Sequence, residues 1–273
     1  MPGVRQPAVA GRFYPADSEE LRGMVTGMLG EVDARTTPAT GAIVPHAGLI
    51  YSGKCAARVF GCIRLPPLVV ILAPNHTGLL DNPGGASAWL GERFATPLGD
   101  VTVERTFITE LIDRCPLVGH DDAAHRAEHA IEVELPFLSL LAPTTAIAPM
   151  VLAWDDWERC ESLARALAET VRTWPDDVLL VASSDMTHYE SAASADSKDR
   201  VALNAVERLD GESLLDICRR DHVTMCGRAP AAVVLEAARL LGATKGQVVD
   251  YRHSGWVTGD DTSVVAYAGV VIS

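Results

Sequence analysis

The amino-acid sequence predicts an α/β fold, a central, mostly parallel or mixed sheet flanked by helices. Short runs rich in valine, isoleucine and alanine, typical of strands in the centre of a sheet, alternate with segments of helical periodicity. This alternation favours a sheet with helices on both faces. The predicted strands are residues 41–45, 68–73, 145–152, 178–183, 247–251 and 263–272. The predicted helices are residues 53–62, 126–141, 155–173, 195–209 and 230–241.

Two other segments complete the predicted fold. Residues 86–103 interrupt the alternation, and their aromatic residues, central turn and alternating valines predict an antiparallel hairpin at one edge of the sheet. Near the start of the chain, Asp17 and Ser18 predict a turn with a helix cap. No long linker rich in proline, glycine or serine divides the sequence, so we expect a single domain over residues 1–273.

The composition argues against several classes of partner and location. The formal net charge of -13 disfavours nucleic acid and anionic membranes, because both reward clustered lysine and arginine. Each apolar stretch is interrupted before it reaches the roughly 18 residues needed to span a bilayer. The six cysteines form no CxxC pair, and the N-terminus does not read as a secretion signal, so we expect a reducing cytoplasm.

Two histidines stand in matching positions after predicted strands. His46 follows the run that ends near Val44, and His76 follows the run that ends near Ala73. The carboxyl ends of parallel strands meet at one edge of a sheet, and neutral imidazole is the commonest protein ligand of transition metals. A structural role would explain either histidine alone, but the matching pair predicts a metal site.

Three more residues are candidates for the same edge. Asp185 and His188 follow the predicted strand 178–183, where a histidine suits proton transfer and a carboxylate can orient it. Asp185 would equally suit a helix cap. Cys226, which precedes Gly227, would give a soft thiolate ligand, although most free cysteines are small buried apolar residues.

The segment from His125 to His129 allows two interpretations. It matches the H-x-x-E-H pattern of zinc peptidases, in which His125 and His129 would share a helical face and Glu128 would be the base. Alternatively, His125 ends an acidic loop and His129 begins the packed face of a helix, where it lines the pocket of the strand-end histidines.

Several separate motifs, in consistent order, closely resemble the Memo family. They are residues 6–15 (QPAVAGRFYP), 45–48 (PHAG), 51–53 (YSG), 74–76 (PNH), 128–132 (EHAIE), 184–188 (SDMTH) and 226–227 (CG). The resemblance runs from end to end. It implies a fold like that of the LigB-type class III extradiol dioxygenases, which use non-haem Fe(II). It also implies that prokaryotic members share a pathway with a radical SAM protein.

By the same resemblance, the metal ligands are His46, His76 and Cys226. His188 corresponds to the acid–base histidine of the dioxygenases, while Asp185 and His129 match other positions of the pocket. Extradiol dioxygenases have a carboxylate where this chain has a cysteine, and the softer thiolate favours copper or zinc more than that carboxylate does.

The expected function is therefore oxidation of an unknown small molecule by a dioxygenase-like enzyme that uses Fe(II), with copper or zinc as alternatives. The main alternative is a non-catalytic protein that uses the same cleft to bind metal or a peptide. A zinc hydrolase built on His125 and His129 is the third hypothesis.

Overall fold

A nine-stranded mixed sheet forms the centre of the computed structural model, which describes residues 3–32 and 36–273. In the described residues the strands are β1 (Val4–Arg5), β2 (Gly41–Val44), β3 (Leu68–Pro74), β4 (Ala86–Ala88), β5 (Arg93–Phe94), β6 (Val101–Thr102), β7 (Val118–His120), β8 (Ala146–Leu152), β9 (Val178–Ser183), β10 (His188–Glu190), β11 (Gly246–His253) and β12 (Val264–Ile272). β1, β5 and β6 form a separate small sheet.

Helices are present on both sides of the large sheet. Over the same residues they are α1 (Ser18–Gly30), α2 (Leu49–Cys62), α3 (Arg105–Arg114), α4 (Asp122–Arg126), α5 (Leu135–Leu141), α6 (Trp157–Thr173), α7 (Ala192–Glu207), α8 (Gly211–Arg220), α9 (Arg228–Leu240) and α10 (Gly255–Thr258). Helices α1, α2 and α5 contact one another, and α3, α6, α8 and α9 form a second connected group. The predicted α/β class, with a large sheet flanked by helices, is confirmed.

The parallel centre of the sheet has the strand order β2, β9, β3, β8. All residues of β2 and β3 are buried, because helices cover the sheet, and this explains their unbroken apolar runs. β12 adds antiparallel to β2, while β4 adds antiparallel to β8. The chain leaves β2, β9 and β3 at the same edge, so the residues that follow these three strands become neighbours.

The six predicted strands are confirmed, but two predicted segments differ from the structure. The segment 86–103 is only partly a hairpin: β5 and β6 pair antiparallel, whereas β4 inserts between β8 and β7 of the large sheet. The predicted helix 126–141 is wrong as a single helix. It is replaced by the end of α4, a 3₁₀ turn at Glu132–Glu134, and α5.

Local hydrogen bonding explains that interruption. The Glu128 carboxylate accepts from the backbone amides of His129 and Ala130, which therefore do not donate to a preceding helical turn. Pro136 lies in the first turn of α5, where its missing N–H costs least. At the other end of the chain, the predicted cap is confirmed, since the Asp17 side chain accepts from the amides of Glu19 and Glu20 at the start of α1.

No helix within residues 3–32 and 36–273 combines the length and the apolar character needed to cross a membrane.

Candidate metal centre

Three histidines converge at the edge where β2 and β3 end. His46 follows β2 and His76 follows β3, while His129 comes from the irregular segment after α4. One ring nitrogen from each residue lies within 4.8 Å of the others. The ring centroids are 4.6 to 5.4 Å apart. This group could bind a metal ion.

The hydrogen bonds of His46 fix which of its nitrogens is free. Its Nδ1 lies 2.8 Å from Ser183 Oγ, and the Ser183 hydroxyl donates to the carbonyl of Ala130 at 2.8 Å. Since that hydroxyl proton is already used, Nδ1 of His46 carries the hydrogen and donates to Ser183. Nε2 is left with its lone pair, as a metal ligand requires.

Glu128 orients the second imidazole in the same way. Its carboxylate accepts from Nδ1–H of His76 at 2.9 Å and from the backbone amide of His76 at 2.6 Å. Burial raises the pKa of Glu128, but the hydrogen bonds from His76 and from backbone amides outweigh this and lower it overall. Glu128 therefore stays ionised and leaves Nε2 of His76 free.

Burial favours the neutral form of His46 and of His129. Burial lowers the pKa of His46 well below its ordinary value, and the neighbouring His76 and His129 lower it further. Burial also lowers the pKa of His129, although the Glu128 carboxylate 3.4 Å from its Nδ1 opposes the change. Imidazole nitrogens suit Fe, Zn or Cu as ligands. Nitrogens that share an ion at about 2.1 Å lie at most about 4.2 Å apart, so the rings need to close by the order of 1 Å.

Cys226 lies close to His46. Its Sγ is 3.4 Å from Nε2 of His46, and the backbone amide of Asp185 donates to the sulfur at 3.2 Å. Gly227 permits this approach, because a Cβ there would lie 2.2 Å from the carbonyl oxygen of Ser183. Burial and the Asp185 carboxylate raise the pKa of the thiol, so without a cation Cys226 stays protonated.

Asp185 holds the turn that carries His46. It follows β9, and its Oδ1 accepts from the amides of His46 at 2.9 Å and Ala47 at 3.3 Å. Burial raises the pKa of Asp185 to about 6, although these hydrogen bonds oppose the rise. His188 stands nearby in β10, where its Nδ1 lies 3.1 Å from the carbonyl of Thr224 and therefore donates to it. That contact leaves Nε2 of His188 free for proton transfer.

A buried ion pair attaches the His129 segment to the start of the chain. Arg5 pairs with Glu132, and its Nε donates to the carbonyl of His125 at 3.1 Å. Glu132 also accepts from Tyr14 Oη at 2.5 Å. The Phe13 ring meets His129 edge-on, with centroids 4.8 Å apart. The N-terminal segment thus fixes the position of one of the three imidazoles.

The geometry does not suit the zinc-peptidase interpretation of His125. Helix α4 ends at Arg126, so His125 and His129 do not share a helical face. His125 is fully buried with its Nε2 3.2 Å from Ser87 Oγ, and burial lowers its pKa to about 3. Glu128 points to His76 and His129 rather than serving a site at His125.

Nearly the whole chain matches a family of known proteins. The model of the family described as Memo-like protein matches residues 5–271. The chain belongs to the Memo family. It is 43% identical over 269 residues to a MEMO1 family protein of Aquifex aeolicus, with 98% of each chain covered. It is also 37% identical over 281 residues to a MEMO1 family protein of Methanopyrus kandleri, with the same coverage. The resemblance found in the motifs is confirmed.

A solved structure shares the fold of this Memo-family chain. An uncharacterized protein of Escherichia coli K12 superposes with a TM-score of 0.53 at 14% identity, over 85% of this chain and 99% of that chain. At this identity the likeness concerns the fold alone. It is consistent with the predicted LigB-like architecture.

Sequence reasoning on this Memo-family chain missed two supports of the site. Ser183, the last residue of β9, orients His46, and the Arg5–Glu132 pair anchors the His129 segment. The H-x-x-E-H interpretation makes Glu128 a hydrolytic base, whereas its contacts make it the partner of His76. The one available sequence signal is that Ser183 ends a strand. The strands before His46 and His76 end at the same edge of the sheet.

Proposed function

We propose that this Memo-family protein is a metal-dependent oxidoreductase with a dioxygenase-like reaction on a small molecule, and that its metal is Fe(II), with copper or zinc as alternatives. The observation that carries the proposal is the convergence of three imidazoles, two of which have Nδ1 hydrogen-bonded and Nε2 free. When bound, Fe(II) would supply open coordination positions and electron exchange.

We assign the metal ligands to His46, His76 and Cys226, following the family motifs. The 3.4 Å separation of Cys226 Sγ from His46 Nε2 supports this assignment, since two ligands of one ion lie roughly 3 to 4 Å apart. His129 is the competing third ligand, because its nitrogen falls within 4.8 Å of those of His46 and His76. In our assignment His129 instead orients groups in the pocket.

His188 is the proposed acid–base residue. Its ring is held by Thr224, so Nε2 can accept the proton of a substrate hydroxyl or return it to a product. Asp185 keeps the His46 turn in place through two backbone amides. Asp185 thus acts on the position of a metal ligand, and His188 acts on the protonation of a group beside the metal.

Metal analysis of purified variants tests the ligand assignment. We expect His46→Ala, His76→Ala and Cys226→Ala each to lose stoichiometric metal, and His129→Ala to retain it. His120→Ala and Cys62→Ala are matched controls, since neither residue belongs to the histidine cluster. If His129→Ala loses metal while Cys226→Ala retains it, the three-histidine set is correct and our ligand assignment is wrong.

Oxygen consumption tests the enzymatic part separately. Protein loaded anaerobically with Fe(II) should consume O2 with a suitable small molecule, and His188→Ala should lose that turnover while it retains metal. The oxidoreductase proposal fails if the loaded wild-type protein consumes no O2 and if none of the candidate substrates changes the oxidation state of its metal. A metal- or peptide-binding protein then becomes the better description.

A further inference from the structure

A cavity opens beside Cys226 at the carboxyl edge of the large sheet. Its volume is about 530 Å³, enough for a small organic molecule. Its lining includes Pro74 at the end of β3, Leu152 at the end of β8 and Ala229 in the first turn of α9. β3 and β8 are parallel, so both end at the edge of the sheet that carries the histidine cluster. We call this space the Cys226 cavity.

The Cys226 cavity borders two of the proposed metal ligands. Cys226 itself lines the cavity, and so does Asn75, the residue before His76. A molecule in the cavity is therefore in contact with one proposed ligand and next to the segment that carries another.

The walls of the cavity are mostly apolar and carry few charges. Leu80, Leu152 and Trp154 contribute large apolar side chains. Of the described residues that line the cavity, only Arg228 and Asp155 are charged. Apolar walls with a few convergent polar groups are typical of sites for small organic molecules.

Arg228 keeps part of its guanidinium group unpaired. Its Nε donates to Asp155 Oδ2 at 2.8 Å, and its Nη2 donates to the same oxygen at 2.5 Å. These are its side-chain hydrogen bonds within the described residues, so Nη1 has no partner among them. The edge formed by Nη1 and Nη2 presents parallel N–H donors that match a carboxylate or a phosphate. Asp155 thus orients the guanidinium and leaves that edge for another anion.

The ion pair with Asp155 does not satisfy the charge of Arg228. The two side chains are 38% and 46% exposed, so water screens their attraction. A planar guanidinium can also bind carboxylates along two edges at once. A second anion can therefore bind Arg228 without displacing Asp155.

Gly227 fixes the position of Arg228 relative to Cys226. Its amide donates to Ser184 Oγ at 2.9 Å, and a Cβ at this position would clash with the carbonyl oxygen of Ser183. The backbone between Cys226 and Arg228 is thus packed against the end of β9. The Cα atoms of residues two apart in sequence are separated by at most about 7 Å. A group bound by Arg228 therefore lies within the length of a small molecule from Cys226.

We infer that the Cys226 cavity binds the substrate, and that the substrate is a small organic anion whose carboxylate or phosphate group binds the free edge of Arg228. The inference rests on the proposed function, because the cavity leads to the metal only if Cys226 is a ligand. The apolar walls contact the body of the anion, which distinguishes it from an inorganic ion.

Alkylation of Cys226 in the full-length, metal-free protein tests this inference. Iodoacetate and iodoacetamide are similar in size, but only iodoacetate is charged. Both react with the same thiolate, so the acidity of the thiol cancels in the ratio of the two rates. The rates are followed by mass spectrometry of the peptide that contains Cys226. We expect Arg228→Gln to lower the ratio of the iodoacetate rate to the iodoacetamide rate about five- to tenfold, because a charge-assisted contact is lost.

Two controls accompany this measurement. Arg165→Gln is the matched variant, because Arg165 is an exposed arginine that pairs with Glu161 and does not line the cavity. It should keep the wild-type ratio at Cys226. Cys62, which is partly exposed at the end of α2, is the internal reference, and its ratio should be the same in wild type and Arg228→Gln.

Protection of the wild-type protein gives a second readout that needs no variant. Butyrate, methyl phosphate and the neutral butyramide are added separately during alkylation by iodoacetate. We expect butyrate or methyl phosphate to slow the alkylation of Cys226 several-fold, and butyramide to leave it unchanged. The anion that protects at the lower concentration shows whether the site prefers a carboxylate or a phosphate.

Four results would overturn the inference. They are equal ratios in wild type and Arg228→Gln, an equal fall of the ratio at Cys62, equal protection by butyramide and the anions, and no protection by either anion. None of them touches the proposed function, which depends on metal binding. If the zinc-loaded wild-type protein is alkylated at Cys226 as fast as the metal-free protein, Cys226 is not a ligand and the proposed ligand set fails instead.

Discussion

Replacement of Glu128 by glutamine should weaken metal binding and destabilise the fold. Glu128 is 2% exposed. It accepts hydrogen bonds from Nδ1 of His76 and from the backbone amides of His76, His129 and Ala130, at 2.6 to 3.0 Å. Glutamine keeps one acceptor oxygen and places an NH₂ group where the second oxygen stood, so at least one buried donor loses its partner.

The contacts allow the size of both effects to be worked out. A hydrogen bond to a buried charged group contributes about 1.5 to 3 kcal/mol, so the free energy of unfolding should fall by about 2 to 3 kcal/mol. Removal of a carboxylate that orients a ligand histidine typically costs about 10- to 100-fold in metal affinity. Metal affinity is measured by competition with a chelator at pH 7, and stability by urea denaturation of the metal-free protein.

Glu236→Gln is the matched control. Glu236 is also buried, and it pairs with Arg239 in α9, outside the histidine cluster. Glutamine replaces a buried carboxylate there too, without removing a support of the three imidazoles. We expect metal affinity close to that of the wild type. If Glu128→Gln also keeps wild-type affinity, or if both variants lose it equally, Glu128 does not orient His76 in the way argued.

Three further perturbations test the supports of the site. Ser183→Ala should weaken metal binding about tenfold, because His46 loses the acceptor for its Nδ1–H. Ser87→Ala, which changes a residue beside His125, is the control and should leave metal affinity unchanged. Equal affinities of the two variants in chelator competition would contradict this. Burial raises the pKa of Asp185 to about 6, above the roughly 3.9 of an unfolded aspartate, so ionisation of Asp185 destabilises the metal-free fold as pH rises from about 4 to 6. The quantity to follow is the free energy of unfolding of Asp185→Asn minus that of the wild type. From pH of about 4 to 6 this difference should rise by the order of 2 to 3 kcal/mol, and a difference that does not change with pH would refute the argument. His125→Ala should lower the unfolding temperature but retain metal, and metal loss would revive the zinc-hydrolase hypothesis.

The sequence predicted the central strands well because their apolar runs are continuous. β3 and β9 are buried along nearly their whole length, so hydrophobicity alone marks them. The amphipathic helices α3 and α8 went unpredicted, although each buries one face and exposes the other. Short strands such as β4 and β7 have three residues each, too few for a periodicity to register.

The strand-end positions of His46 and His76 were predictable because parallel strands deliver their following residues to one edge. The contribution of His129 to the same cluster was not, because it depends on how an irregular segment is anchored. That segment is held by Arg5 and Glu132, 127 residues apart in sequence. A contact over such a distance leaves no periodic trace in either segment.

The dispersion of the site along the chain has a consequence for biosynthesis. Cys226 Sγ and His46 Nε2, 3.4 Å apart, are separated by 180 residues, and the anchor of His129 lies at Arg5. During translation, a chain that has emerged only as far as β9 has His46 and His76 but not yet Cys226. The proposed ligand set can therefore close around an ion only after most of the chain has been synthesised and packed. Uptake of metal would thus mark completion of folding, because incomplete chains lack a ligand.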